Sequence, residues 1–213
     1  MSWWSSLVSV TLMFRVAVLP LNVSLVRNTA RLYLARADLK KQDAVMLSET
    51  ASEEEKMDAA LAYKATLREN KCHPLKNLVS PFLFPPIFLS LFGAVIDIST
   101  SGLPGVSTGG ALWFPDLSQP DPTKLLPVLS GITWLATIEL ASGKVFRMPP
   151  WMLSATRLGA VAFIPVTESL PAGVFMFWIT SNLFAMTRAY ALRQKPVATF
   201  FRVPEVTRSP DTP

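Results

Sequence analysis

Arg15 is the one charged side chain in the first hydrophobic run of the chain, residues 3–26, which Pro20 alone further interrupts. Read as a helix, this run puts Arg15 about 18 Å from either end. That is too deep for the side chain to snorkel to a bilayer surface. A charge there costs about 2.5–3.5 kcal/mol even on the lenient insertion scale, so such residues mark sites and pathways for charged groups. The chemistry open to it is electrostatic: drawing an anionic group into a low-dielectric place. Thr11, four residues before, and Asn22, seven after, extend a polar stripe on the same face. Ser130, Thr133 and Thr137 recur at helical spacing in a later run, and Thr180, Asn182 and Thr187 lie in the last one. Converging, these faces would enclose a hydrophilic cavity. Two rival readings exist: small hydroxyl residues also glue membrane helices together, and Arg15 could form a buried ion pair with Glu139 or Glu168.

Bond-making chemistry finds little support. Cys72 is the only cysteine and His73 the only histidine. Neither an internal disulfide nor a paired-cysteine metal site can form, and a Cys/His nucleophile would lack its orienting third group. No phosphate-binding glycine motif, zinc-protease motif or nucleophile elbow is present. No cofactor or metal is expected, and the chain does not read as an enzyme.

The elements that would position these residues follow from composition. Half of the 213 residues are apolar and 16% are charged, far fewer charges than a soluble domain carries. Uncharged runs alternate with charged segments, as spans alternate with loops. The expected fold class is an all-α integral membrane protein with five transmembrane helices, at about 3–26, 78–96, 125–141, 152–170 and 172–190. An amphipathic helical hairpin at 27–76 separates the first two. Its helices are expected near 28–47 and 53–69, the second opened by the capping-box pattern Ser52-Glu53-Glu54-Glu55. Pro81, Pro85 and Pro86 should kink the second span, and Pro127 fits the first turn of the third. The connection from Asp97 to Lys124 carries Gly109-Gly110, Trp113-Phe114 and Pro120-Asp121-Pro122. It reads as an acidic loop with aromatic residues at headgroup level. The apolar stretch from Leu158 to Leu170 is too short to cross the roughly 30 Å hydrocarbon core, so the fourth span must recruit Met152 to Arg157 or sit in a thinned bilayer. Residues 3–193 form the core and 194–213 a short tail.

Counting Lys and Arg orients the chain. Ten lie between Arg27 and Lys76, three at Lys144, Arg147 and Arg157, and five from Arg188 onward, against Lys124 alone on the other side. By the positive-inside rule the hairpin and C-terminus face the inner compartment and the N-terminus faces out. The basic sequence pI of 9.6 is therefore topological rather than a mark of nucleic acid. The hairpin's eight acidic residues leave it only +2, which suits docking on a membrane surface or client, and no DNA partner is expected. Nothing before Trp3 resembles a cleavable signal, so targeting is expected to be internal or to lie in a removed presequence.

Four segments in order resemble the YidC/Oxa/Alb family of membrane-protein insertases. They are Phe14-Arg15-Val16-Ala17-Val18-Leu19-Pro20-Leu21; Asn70-Lys71-Cys72-His73-Pro74-Leu75 leading to Pro85-Pro86-Ile87-Phe88-Leu89; Gly109-Gly110-Ala111-Leu112-Trp113-Phe114-Pro115-Asp116-Leu117 with Leu126-Pro127; and Leu170-Pro171-Ala172-Gly173-Val174-Phe175 through Trp178, Ser181, Asn182 and Leu183. Their wording is nearest to the mitochondrial inner-membrane branch. The resemblance implies a groove bearing Arg15 that opens to the inner compartment and to lipid. It also implies insertion and folding of hydrophobic client proteins, such as respiratory-complex subunits, in the lipid bilayer of the mitochondrial inner membrane. The N-terminus would lie in the intermembrane space and the C-terminus in the matrix. The tail after Arg193, with Lys195, Arg202 and Arg208, implies a weak ribosome contact at most and leaves post-translational insertion, as in the cytochrome oxidase assembly branch, open. The alternatives are a small transporter or channel with an intramembrane anion site at Arg15, and a structural assembly subunit.

Overall fold

The computed structural model describes residues 2–141 and 149–206. Among these the chain is helical, with two isolated β-bridges and no strand. The longest helix, α1 (Trp3–Met46), has 44 residues and spans about 66 Å. A break near Arg27 was the expectation from composition, and it does not occur. No Gly or Pro stands between Leu21 and Met46, so the helix continues while only its side chains change from apolar to charged.

Helix α2 (Glu53–Glu69) starts at the expected capping box. The Glu55 N–H donates to Ser52 Oγ at 3.2 Å, and the Ser52 N–H donates to Glu55 Oε2 at 2.8 Å. Three glutamates in the first turn complement the helix dipole. This helix lies along the distal part of α1, where Gln42 Nε2 donates to Thr66 Oγ1 at 2.9 Å, and none of its own residues is buried.

Helix α3 (Pro74–Thr100) begins four residues before the expected start, because Pro74 sits in its first turn and His73 Nδ1 accepts the Leu75 N–H at 3.2 Å. It continues through Pro81, Pro85 and Pro86. Helices α1 and α3 are both long and apolar enough to cross a membrane, and α4 (Leu125–Ala141) is a shorter apolar helix. Helix α5 (Pro150–Thr167) includes Met152 to Arg157 and stops before Glu168, shifted from the expected 152–170. Helix α6 (Ala172–Ala191) matches its expected range, and α7 (Lys195–Phe200) is a short addition. The expected short loop with Lys144 and Arg147, and the tail at Arg208, lie outside the described residues.

The segment between α3 and α4 departs most from expectation. It folds back as a structured lid over the ends of α1 and α6 rather than running as a solvated loop. Phe114 and Leu117 are buried in the core, so Phe114 is not a headgroup anchor. The Trp4 N–H donates to the Gly109 carbonyl at 2.9 Å, and Trp3 Nε1 donates to the Pro104 carbonyl at 3.0 Å. A helix start leaves backbone N–H groups unpaired; the lid satisfies that of Trp4 and holds the Trp3 indole beside it. Ala172 and Gly173 of α6 donate to the carbonyls of Gln119 and Leu117, at 2.8 and 3.1 Å. Gly110 is required where the lid doubles back, since a Cβ there would fall 1.8 Å from the Phe114 carbonyl oxygen. The core beneath the lid gathers Leu7, Val95, Val106, Leu126 and the run from Ala172 to Phe177.

Candidate functional site

Helix α6 is the hub, packed against α1, α3 and α4, and it offers different faces to each. Phe177, Ser181, Phe184 and Arg188 follow one another at intervals of four, three and four residues, which puts them on one face. Phe177, Phe184, Ala185 and Arg188 line a cavity of about 560 Å³. Its second wall is α1, through Phe14, Arg15 and Asn22. Its third is α3, through Phe84, Pro85, Ile87, Phe88 and Leu91. The cavity is thus mostly aromatic and aliphatic, with two guanidinium groups and one amide.

Arg15 Nε donates to Ser181 Oγ at 3.3 Å. Neither carboxylate considered as its partner reaches it. Glu139 is engaged by Arg157, and Glu168 pairs with Lys124 at 2.8 Å. Among the described residues no carboxylate forms an ion pair with Arg15 or with Arg188. The charge that shares the cavity with Arg15 is the like charge of Arg188. Two cations in an apolar cavity without an internal counter-ion favour an anionic guest.

The remaining candidates divide between the cavity and the helix seams. Asn22 lines the cavity, with its Nδ2 also donating to the Val18 carbonyl at 3.2 Å. Thr11 is buried and donates to the Leu7 carbonyl of its own helix at 2.6 Å. Ser130, Thr133, Thr137 and Asn182 meet in the contact between α4 and α6. There Asn182 Nδ2 donates to Thr133 Oγ1 at 3.1 Å and to the Ser130 carbonyl at 3.4 Å, while Thr137 Oγ1 donates to the Asn182 carbonyl at 3.3 Å. This is an interhelical clasp, and the α3 aromatic wall stands where α4 was expected. Ser130 Oγ is buried without a hydrogen-bond partner. Thr180 is buried, and Thr187 is exposed and bonded to the Leu183 carbonyl.

Sequence reasoning missed Arg188, which was counted among the tail charges, and Ser181. The readable signal was helical spacing from Phe177, which reaches both. It also missed Asp121, a buried carboxylate that caps α4. Asp121 Oδ2 accepts the Leu126 N–H at 2.7 Å and Trp113 Nε1 at 3.3 Å, while Oδ1 accepts the Thr123 N–H and hydroxyl at 2.9 and 2.7 Å. Burial pushes its carboxyl up, but these hydrogen bonds outweigh burial and hold it below the usual carboxylate range. Cys72 is buried as well, and burial pushes its thiol up, the reverse of what a nucleophile needs. Among the described residues no group of side chains could hold a metal ion.

The helical hub, capping lid and arginine-bearing cavity belong to an all-α chain with two helices long and apolar enough to cross a membrane, and comparison with known proteins gives its family. The chain belongs to the 60Kd inner membrane protein family, the YidC/Oxa type, whose family model matches residues 1–198. It is 31% identical to the mitochondrial inner membrane protein OXA1 of Arabidopsis thaliana, over 98% of this chain and 49% of that protein. The mitochondrial inner membrane protein OXA1L of Mus musculus is likewise 31% identical, over 98% of this chain and 49% of its own length. The cytochrome c oxidase assembly protein COX18 of Homo sapiens is 26% identical, over 99% of this chain and 71% of its own. The chain therefore spans about half the length of the two OXA1 relatives it matches.

Proposed function

We propose that the chain is an ATP-independent insertase of the mitochondrial inner membrane that receives hydrophobic client proteins, respiratory-complex subunits among them, and passes them into the bilayer. Helices α1, α3, α4, α5 and α6 are its five spans, with the α1–α2 hairpin and the C-terminus on the matrix side and the lid on the intermembrane side. The observation that carries this reading is Arg15, deep in its helix, lining a cavity with no carboxylate partner among the described residues. A structural subunit would seal such a charge in an ion pair, since a buried unpaired charge is costly. An inserter keeps it available: the client's acidic or polar segment enters, and the guanidinium lowers the several-kcal/mol cost of bringing backbone and charge into hydrocarbon. The client's apolar helix meets the aromatic wall of α3 and α6 and leaves sideways into lipid. Nothing covalent happens. Arg188 and Ser181 join Arg15 as groove residues in this reading.

The test is a paired measurement of abundance and client insertion. Arg15→Lys retains most insertion and Arg15→Ala loses it for clients with charged translocated segments, both at normal abundance. Low abundance of Arg15→Ala, with insertion of neutral and acidic clients lost in proportion, would overturn the reading in favour of a structural role for Arg15.

A further inference from the structure

A second, smaller pocket of about 170 Å³ lies at the end of the apolar stretch of α1. It is lined by Ser24, Arg27, Asn28 and Arg31 of α1, by Lys71 of the α2–α3 link and by Lys76 of α3. Four of its six lining residues are cations and none is an acid. Among the described residues none of the four makes an ion pair. Like charges do not gather by preference, so a framework must hold them, and Asn28 provides it. Buried in the contact, Asn28 donates from Nδ2 to the His73 carbonyl and to Asn77 Oδ1, both at 2.9 Å, and its Oδ1 accepts the His73 N–H at 2.9 Å. Arg31 Nη1 adds a bond to the Lys71 carbonyl at 3.1 Å, across a residue whose φ of 50° is left-handed. The clasp fixes the start of α3 against α1 and thereby sets the four cations around one small space.

We infer that this pocket binds the phosphate of an anionic phospholipid headgroup. The position favours lipid over other phosphates. The apolar stretch of α1 ends at Val26 and the uncharged stretch of α3 begins at Asn77, so on the proposed membrane placement, on which this inference rests, the pocket lies at the level of the inner-leaflet phosphates. Leu75, Leu78 and Phe82 are exposed next to it on α3 and offer a track for acyl chains. Basic pockets between spanning helices on the matrix side suit such headgroups. The space takes one phosphate group, whereas a nucleic acid needs a stripe of cations along its backbone.

The experiment is native mass spectrometry of the full chain in detergent, titrated with phosphatidylglycerol, phosphatidylcholine or inorganic phosphate. The variants are Arg27→Gln/Lys71→Gln/Lys76→Gln and an equally charged control away from the pocket, Lys41→Gln/Lys56→Gln/Lys64→Gln. Phosphatidylglycerol should be retained over phosphatidylcholine, with retention weakened on the order of a hundredfold in the pocket variant and little changed in the control. Equal losses in both variants, or retention of phosphatidylcholine as strong, would assign the effect to general surface charge and overturn the inference. So would an effect reproduced by inorganic phosphate alone, or pocket-dependent capture of an RNA oligonucleotide without lipid preference. Should the triple variant fail to fold, Lys76→Gln, whose side chain is exposed, serves with an expected loss of about fivefold. Measuring Arg15→Ala in parallel separates the two readings: lipid retention concerns this pocket, and client insertion concerns the groove.

Discussion

Arg15 on α1 and Ser181 on α6 are joined by a 3.3 Å hydrogen bond across the wall of the cavity. The hydroxyl takes only Nε, so the rest of the guanidinium fork can meet a guest, and the bond aims the side chain at the space shared with Arg188. Ser181→Ala should leave abundance unchanged and lower insertion of clients with acidic translocated segments several-fold, since one neutral-to-charged hydrogen bond is worth about 1.5–3 kcal/mol before relaxation. Arg188→Ala should steepen the dependence of insertion on the number of acidic residues in the client, and Arg188→Lys should restore it. A uniform fall for neutral and acidic clients alike would place both residues in folding instead.

Asp121 ties lid stability to pH. Its folded carboxyl titrates below the ordinary range, so it contributes stability that is present above the unfolded carboxylate pKa and is lost as pH falls through the lower folded value. Thermal unfolding of the detergent-solubilised chain should show this loss as the pH is lowered through and below the ordinary carboxylate range. Asp121→Asn should start less stable by about 1–3 kcal/mol at pH 7 and lack that part of the acid dependence. An unchanged acid profile in Asp121→Asn would show that the cap contributes nothing.

Gly110 tests whether the lid is a folded element. Gly110→Ala drives a methyl into the Phe114 carbonyl, so it should open the lid and raise protease cleavage between α3 and α4 on the outer side. A second glycine in the same segment, Gly102, has open space around its Cβ position but a positive φ of 66°. Gly102→Asn, which tolerates that backbone region, should be nearly silent. Equal cleavage in the two variants would contradict the packing described for Phe114.

Topology can be read directly. In a chain with Cys72 replaced, a cysteine at Ser52 should be labelled from the matrix side and one at Ser107 from the intermembrane side. Labelling of both from one side would remove the five-span arrangement.

Local chemistry made several elements legible in the sequence. Ser52 and Glu55 announced the start of α2 to the residue, and the apolar runs bounded by Lys124 and Ala141, and by Pro171 and Tyr190, gave α4 and α6. What failed to show were relations between distant segments. Composition changes at Arg27, but a backbone free of Gly and Pro has no reason to stop there. Phe114 and Asp121 looked like loop residues because their burial depends on α6 and on the start of α4. The polar residues of α4 were recognised as one face, but spacing cannot say which neighbour a face meets. Asn182 claims them, and α3 closes the cavity in their place.

The unbroken course of α1 makes it a lever. With Pro20 as its one weak point, the helix joins the lid, through Trp3 and Trp4, to the tip of the hairpin about 66 Å away. Arg15 stands between the two ends, nearer the lid. A load on the hairpin tilts the same rod that carries the arginine. If clients press on the hairpin as proposed, the load would reach the groove charge and the lid as one mechanical event, with Pro20 and the bond to Ser181 setting how much of the swing is absorbed on the way.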